Sequence, residues 1–127
     1  MVDGSPASST NPETWTTYDQ VVAGDDLPGD GYGVMLGDGL ACYDIDRCFN
    51  PTTTRLELTP WGRDVLAMIR RERARVLFAE ISCSGNGLHV FVQGEPGPGR
   101  RTNNYEFYSR DRFIRVTGER VEVSQFV

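Results

Sequence analysis

Lysine is absent from these 127 residues, histidine occurs once and cysteine three times. Each scarcity excludes a class of structure. Cys42, Cys48 and Cys83 are an odd number with no CxxC pair, and a single histidine cannot complete a Cys/His zinc set. Neither a disulfide framework nor a structural zinc site is expected, and the thiols should be reduced, two of them in or near the core. No stretch approaches the roughly 18 apolar residues of a membrane span. No charged segment leads into an apolar run and a small-residue cleavage site. The expectation is a soluble, cytoplasmic protein with no membrane partner. Met1 to Pro12 has almost nothing apolar to bury, so residues 1–12 read as a flexible arm and residues 13–127 as one domain.

The chain does carry charge, unevenly placed. The formal net charge is -5, but through Pro60 ten acids face two arginines, whereas from Trp61 onward eight acids face eleven. All thirteen basic residues are arginine, whose guanidinium fork binds phosphate oxygens in pairs. An acidic pole repels nucleic acid unless divalent cations screen it, so the domain alone is expected to hold DNA weakly.

Periodicity and turn chemistry place the elements. Trp15 to Ala23 has helical spacing, with Thr14 as N-cap and Gly24 at the end. Asp25 to Gly31 is a loop. Tyr32 to Leu36 and Leu40 to Ile45 are apolar runs split by Gly37-Asp38-Gly39, which predicts a β-hairpin. A polar loop follows through Asn50 to Thr54. Thr59 can cap, and Pro60 begin, an amphipathic helix over Trp61 to Arg73, with Trp61, Val65, Leu66, Met68 and Ile69 on its apolar face. Val76 to Ser82 and Leu88 to Val92 predict a second hairpin around Ser84-Gly85-Asn86-Gly87. Gly94 to Arg101 reads as a mobile loop, then strands at Asn104 to Tyr108, Arg112 to Thr117 and Val121 to Ser124. The fold class expected is α+β, about two helices among about seven strands, mostly hairpin-linked.

Four residues stand out for chemistry. Asp44 and Asp46 flank Ile45 at a strand end, and a two-residue period points both carboxylates to one face while Ile45 enters the core. Adjacent carboxylates repel unless a cation sits between them, and hard divalent ions are the usual solution. A polar strand end entering a loop is the competing reading. An EF-hand is excluded, because counting from Asp44 puts Phe49 where glycine is required and Arg55 where the closing glutamate belongs. His89 follows a Gly-rich turn whose Ser84, Gly85 and Gly87 suit an anion nest, and a histidine beside it can donate to a phosphate; a structural histidine is the alternative. Glu106, between Tyr105 and Phe107, is either a third metal ligand or an ordinary solvent-facing strand position. Arg101, Arg112 and Arg115 are candidates for phosphate or template contacts, against solvated surface.

Read in order, YDID, then EISCSGNGLHVFVQG with PGPGRR behind it, then YEFYSRDRFIRVTG, the chain resembles the primase-polymerase branch of the archaeo-eukaryotic primase superfamily found in phages, prophages and plasmids. The resemblance runs from about Ser8 to about Arg120. Each motif alone is weak, and their order and spacing carry it. The resemblance implies an RRM-like sheet packed on helices, and two metals, Mg2+ or Mn2+, on Asp44, Asp46 and Glu106. It also implies nucleoside triphosphate contacts at His89, Gly87 and the preceding Ser84-Gly85 turn, with Arg101 and Arg112 nearby. The activity it implies is nucleotide transfer to a 3'-hydroxyl on a single-stranded DNA template. Family members often add a strand before the SSTNP-like stretch and a helicase domain after the core, neither of which lies in these residues, so a helicase or other replication protein is the expected partner. Three readings from other classes compete. One is a non-catalytic nucleotide or single-strand binding subunit; a second is a two-metal nuclease. The third, an RNA reader, is disfavoured because RFIRVTGE lacks the required glycine and aromatic positions.

Overall fold

The computed structural model describes residues 32–51, 56–72 and 75–126. The arm at Met1 to Pro12, the helix at Trp15 to Ala23, the loop at Asp25 to Gly31 and much of the Asn50 to Thr54 loop lie outside them. The described elements are β1 (Tyr32–Met35), β2 (Leu40–Ile45), α1 (Pro60–Arg71), β3 (Val76–Ile81), β4 (Leu88–Gln93), β5 (Arg100–Arg101), β6 (Glu106–Tyr108), β7 (Phe113–Val116), β8 (Arg120–Val121) and a 3-10 turn at Val123–Phe126. The class is α+β, as expected. Six strands form one sheet in the order β5-β6-β2-β4-β3-β8, and β1 pairs with β7 as a separate ribbon. Every pairing is antiparallel.

Strand alternation decides what each face buries. Ala41, Tyr43 and Ile45 of β2, with Ala79 of β3 and Leu88, Val90 and Val92 of β4, join Val65, Leu66 and Ile69 of α1 in the main core. Helix α1 starts as its sequence predicts: Pro60 follows Thr59, whose side chain accepts a hydrogen bond from the Gly62 amide at 3.2 Å. Space at Gly62 is tight, since a Cβ there would lie 3.1 Å from the Cys48 Cβ. Thr59→Ala removes the cap and should lower unfolding free energy by about 1 kcal/mol, read by chemical denaturation with an unchanged m-value.

The second face carries Cys42 of β2 and Phe91 of β4, roofed by Leu36 and Ile114 with Val34 and Val116 of the ribbon. Cys42 and Cys48 are buried, Cys83 is exposed, and all three are free. Burial pushes the Cys48 thiol up to about 12, so it is an inert core residue at neutral pH.

Three expectations need correction. The Gly37 to Gly39 turn exists, with φ of 138, 51 and 97 degrees at Gly37, Asp38 and Gly39, but it does not close a β1-β2 hairpin. Only the Gly37–Leu40 bridge forms there. A strand has two edges, and β4 and β6 occupy both edges of β2; β1 therefore leaves the sheet plane and pairs with β7. Second, Arg100 and Arg101 are not loop but strand β5, because β6 would otherwise present an unpaired edge. Third, the last strand is β8 at Arg120–Val121, after which the chain tightens into a 3-10 turn that buries Phe126 against Phe49, ring centroids 5.6 Å apart. The remaining strands match their expected positions with ends trimmed or extended by one or two residues. The β3-β4 hairpin is present as predicted.

Candidate active site

Registered partners in an antiparallel sheet project from the same face. Asp44 of β2 is registered with Glu106 of β6 on one side and His89 of β4 on the other. His89 is registered in turn with Glu80 of β3, Glu80 with Arg120 of β8, and Glu106 with Arg101 of β5. One row of titratable side chains, Arg101, Glu106, Asp44, His89, Glu80, Arg120, thus crosses all six strands. The registered row beside it, on the opposite face, is Arg100, Phe107, Tyr43, Val90, Ala79 and Val121, mostly apolar and packed toward α1. A one-residue slip of any strand would bury its member of the charged row, so the core pins the site.

Strand β7 is tied to both ends of the acidic part of this row. Arg112, just before β7, places Nη2 3.9 Å from Glu106 Oε2. Thr117, just after it, donates its amide to Glu80 Oε2 at 2.9 Å. Glu106 and Glu80 are three strand spacings apart, about 14 Å, a gap the five-residue step from Arg112 to Thr117 is long enough to bridge, and Ile114 between them packs with Cys42 and Phe91. Asp44 and His89 lie between its two anchors.

Asp44 is the electrostatically unbalanced member. Its Oδ1 is buried and has no hydrogen-bond partner; the nearest ring nitrogen, His89 Nε2, stands 3.6 Å away. Burial raises its carboxyl above the ordinary range; His89 draws it down, Asp46 and Glu106 push it up, and Arg112 opposes them. Glu106 is satisfied instead: Arg101 Nε lies 3.0 Å from Oε1, and Tyr108 donates its hydroxyl to Oε2 at 2.9 Å. Asp46 lies just past the end of β2, exposed, in the turn that continues through Arg47. His89 is held from behind, Nδ1 3.4 Å from Glu80 Oε2. Beneath Asp44, burial and the nearby Asp44 and Glu80 charges raise the Cys42 thiol well above its usual value, which removes it as a nucleophile.

The structure therefore brings Asp44, Glu106, His89 and Arg101 into one row and leaves Asp46 at its margin. Arg112 reaches the row from the start of β7, whereas Arg115 sits exposed on the ribbon, registered with Gly33. The Ser84 to Gly87 turn closes on itself. Gly85 donates its amide to the Ser82 carbonyl at 2.9 Å, Gly87 donates to Ser82 Oγ at 3.1 Å, and Ser84 Oγ donates to Asn86 Oδ1 at 2.6 Å. Its Gly85 and Gly87 amides are thus committed within the turn, and Ser84 Oγ, also bonded to Asn86, remains at its exposed surface. Gly87 is small for a geometric reason: a Cβ would lie 2.8 Å from Ser82 Oγ, 3.0 Å from the Ile45 carbonyl and 3.5 Å from the Asp46 Cα.

A hard divalent cation takes carboxylate oxygens. The orphaned buried oxygen of Asp44, the registered Glu106 and the nearby Asp46 are a donor set of that chemistry. Among the described residues, no three His, Cys, Asp or Glu side chains stand together as a ready-made cage. Glu106 would have to turn from Arg101, Tyr108 and Arg112 to share an ion with Asp44. Also among the described residues, no helix is long and apolar enough to cross a membrane.

Glu80 was not singled out from the sequence. Its signal was present: one acid in the apolar run VLFAEI, placed by the turn length opposite the sole histidine.

No family model matches the chain. A curated protein does. The chain is similar to a DNA primase-polymerase of Nitratiruptor phage NrS-1. The two are 31% identical over 127 aligned residues, and the match takes in 92% of this chain. It spans only 17% of the phage primase-polymerase, so the likeness concerns one part of that larger protein.

Proposed function

We propose that this chain is the nucleotidyl-transfer core of a DNA primase-polymerase in phage or plasmid replication. It transfers nucleotides from NTP or dNTP to a 3'-hydroxyl on a single-stranded DNA template. The observation that carries the reading is the buried, partnerless Asp44 oxygen beside Glu106 and His89 in one sheet row. A binding scaffold gains nothing from such an arrangement, whereas a site that takes up cations with its substrate needs it. Similarity to the phage primase-polymerase supports the same conclusion.

Asp44, Asp46 and Glu106 would hold two Mg2+ or Mn2+ ions. When bound, such ions lower the pKa of the attacking hydroxyl and offset charge developing at the α-phosphate and the leaving pyrophosphate. The protein's own groups orient the substrate. His89 Nε2 faces the Asp44 side of the row, where a ring carrying hydrogen on both nitrogens would donate to a phosphate oxygen. Arg101 and Arg112, which neutralise Glu106 here, are free to take triphosphate oxygens once cations replace them at that carboxylate. A replicative helicase or another replication protein is the partner this core would serve.

That saturation of Glu106 favours one further reading, a subunit that binds nucleotide or single-stranded DNA without transfer. Calorimetry with a triphosphate, with and without Mn2+, followed by primer extension on labelled single-stranded DNA in Mg2+ and in Mn2+, separates the two. Metal-dependent binding with extension supports the proposal. Binding without extension establishes the subunit, and shortening of the labelled strand establishes a nuclease.

A further inference from the structure

Glu80 is 1% exposed, and burying a carboxylate is costly unless its oxygens are matched by donors. Its Oε2 accepts the Thr117 amide at 2.9 Å and stands 3.4 Å from His89 Nδ1. An oxygen already accepting from one N–H is met most favourably by a second N–H, which places a hydrogen on Nδ1. The other ring nitrogen, Nε2, then points along the row toward Asp44, at 3.6 Å from its Oδ1. Phe91 stands edge-on to the imidazole, ring centroids 6.2 Å apart. Thr117 is fixed independently, since its hydroxyl donates to the Ile81 carbonyl at 2.6 Å. Glu80 is therefore held from β7 as well as from its own strand.

We infer that Glu80 is a positioning residue: it fixes the His89 ring with Nδ1 in the N–H form and Nε2 presented to the site, and it ties the end of β7 to that geometry. Its effect on triphosphate affinity rests on the function proposed above; its effect on the ring does not. A ring nitrogen's role is set by the hydrogen bond its partner nitrogen makes. Groups that orient a functional histidine in this way contribute about tenfold or more to the ligand interactions they support.

Because the chain has one histidine, a long-range 15N–1H spectrum of the full chain reports this ring without assignment. Nδ1 should appear in the N–H form. Glu80→Met keeps apolar volume but offers no oxygen acceptor, and should release the ring to the Nε2–H form. Glu80→Gln keeps an acceptor and should retain the wild-type pattern. Thr117→Ala loses the hydroxyl bond to Ile81 but keeps its amide, and should lower stability without changing the ring. With a non-hydrolysable nucleoside triphosphate and Mn2+, Glu80→Met should bind about tenfold more weakly than wild type, and Glu80→Gln within a few-fold of it. A wild-type ring with its hydrogen on Nε2 and none on Nδ1 overturns the inference, and so does an unchanged ring in Glu80→Met. A ring released equally by Thr117→Ala also overturns it, since that result means general loosening. If the wild-type chain binds no triphosphate, the proposed function falls while the spectrum still decides the role of Glu80.

Discussion

Asp44→Asn should cut the proposed nucleotide transfer about a hundredfold or more while making the protein more stable. Removing one preorganised electrostatic group from a transition state costs on the order of a hundred- to a thousandfold, and Asp44 is central to the row, so the loss should reach at least that range in primer extension. The stability change has the opposite sign. Asp44 keeps an oxygen buried without a donor, and burial holds its carboxyl above the ordinary range. An unpartnered buried polar atom costs about 1 kcal/mol or more, so the neutral amide should raise unfolding free energy by about 1 kcal/mol at neutral pH. The pH dependence follows from the sign of the shift. A folded-state carboxyl raised above its unfolded value favours the fold when protonated, and that advantage is lost as pH rises through the folded value. The stability gap between Asp44→Asn and wild type should therefore be widest at neutral pH and close as pH falls through the raised Asp44 value. Denaturation curves at a series of pH values check it, and a gap that is constant with pH would sink the electrostatic account. Added Mn2+ should stabilise the wild-type chain and leave Asp44→Asn unmoved, because a cation that binds the folded state alone stabilises it by mass action.

Gly87→Ala should damage fold and site together. The added Cβ meets Ser82 Oγ at 2.8 Å and the Ile45 carbonyl at 3.0 Å; one is a buried side chain that accepts the Gly87 amide, the other is backbone of the central strand. Neither can yield freely. Overpacking of this kind costs about 1 to 3 kcal/mol, a shift of several degrees in Tm for a domain of this size. The same displacement moves the end of β2, which carries Asp44 and leads into Asp46, relative to the start of β4, which carries His89. Transfer activity should fall more than stability explains, on the order of a hundredfold, the scale of a 1 Å misplacement at a reacting centre. Gly85→Ala is the comparison. No atom lies within 4 Å of a Cβ at Gly85, and its penalty comes from a φ of 82 degrees, so it should cost about 1 kcal/mol without a matching loss of activity.

Much of the architecture was legible in the chain itself. The Thr59-Pro60 start of α1, the 2.0-residue alternation that sends Ile45 inward and Asp44 outward, and the β3-β4 hairpin around Ser84 to Gly87 all follow from local rules. Local rules failed where the answer depended on how many neighbours a strand already had. Gly37 to Gly39 is good hairpin chemistry, yet β1 does not pair with β2, because occupancy of an edge is a property of the whole sheet. The short β5 was invisible for the same reason: two arginines after a Gly/Pro-rich stretch become a strand only because β6 has a free edge to offer.

The candidate site divides along the same line. By itself the sequence determined which side chains carry charge, that Asp44 points away from the core face that takes Ile45, and that Asp44, Asp46, His89 and Glu106 merit attention as a set; it did not show that Asp46 falls past the strand end in an exposed turn. Tertiary structure alone decided that Glu106 and His89 flank Asp44 from opposite edges of β2, that Glu80 stands behind His89, and that Arg112 and Thr117, on either side of β7, contact Glu106 and Glu80. The physical reason is register. Residues more than sixty positions apart in the chain meet because the apolar face of each strand admits only one alignment against α1 and its neighbours, and the charged row is the reverse side of that packing.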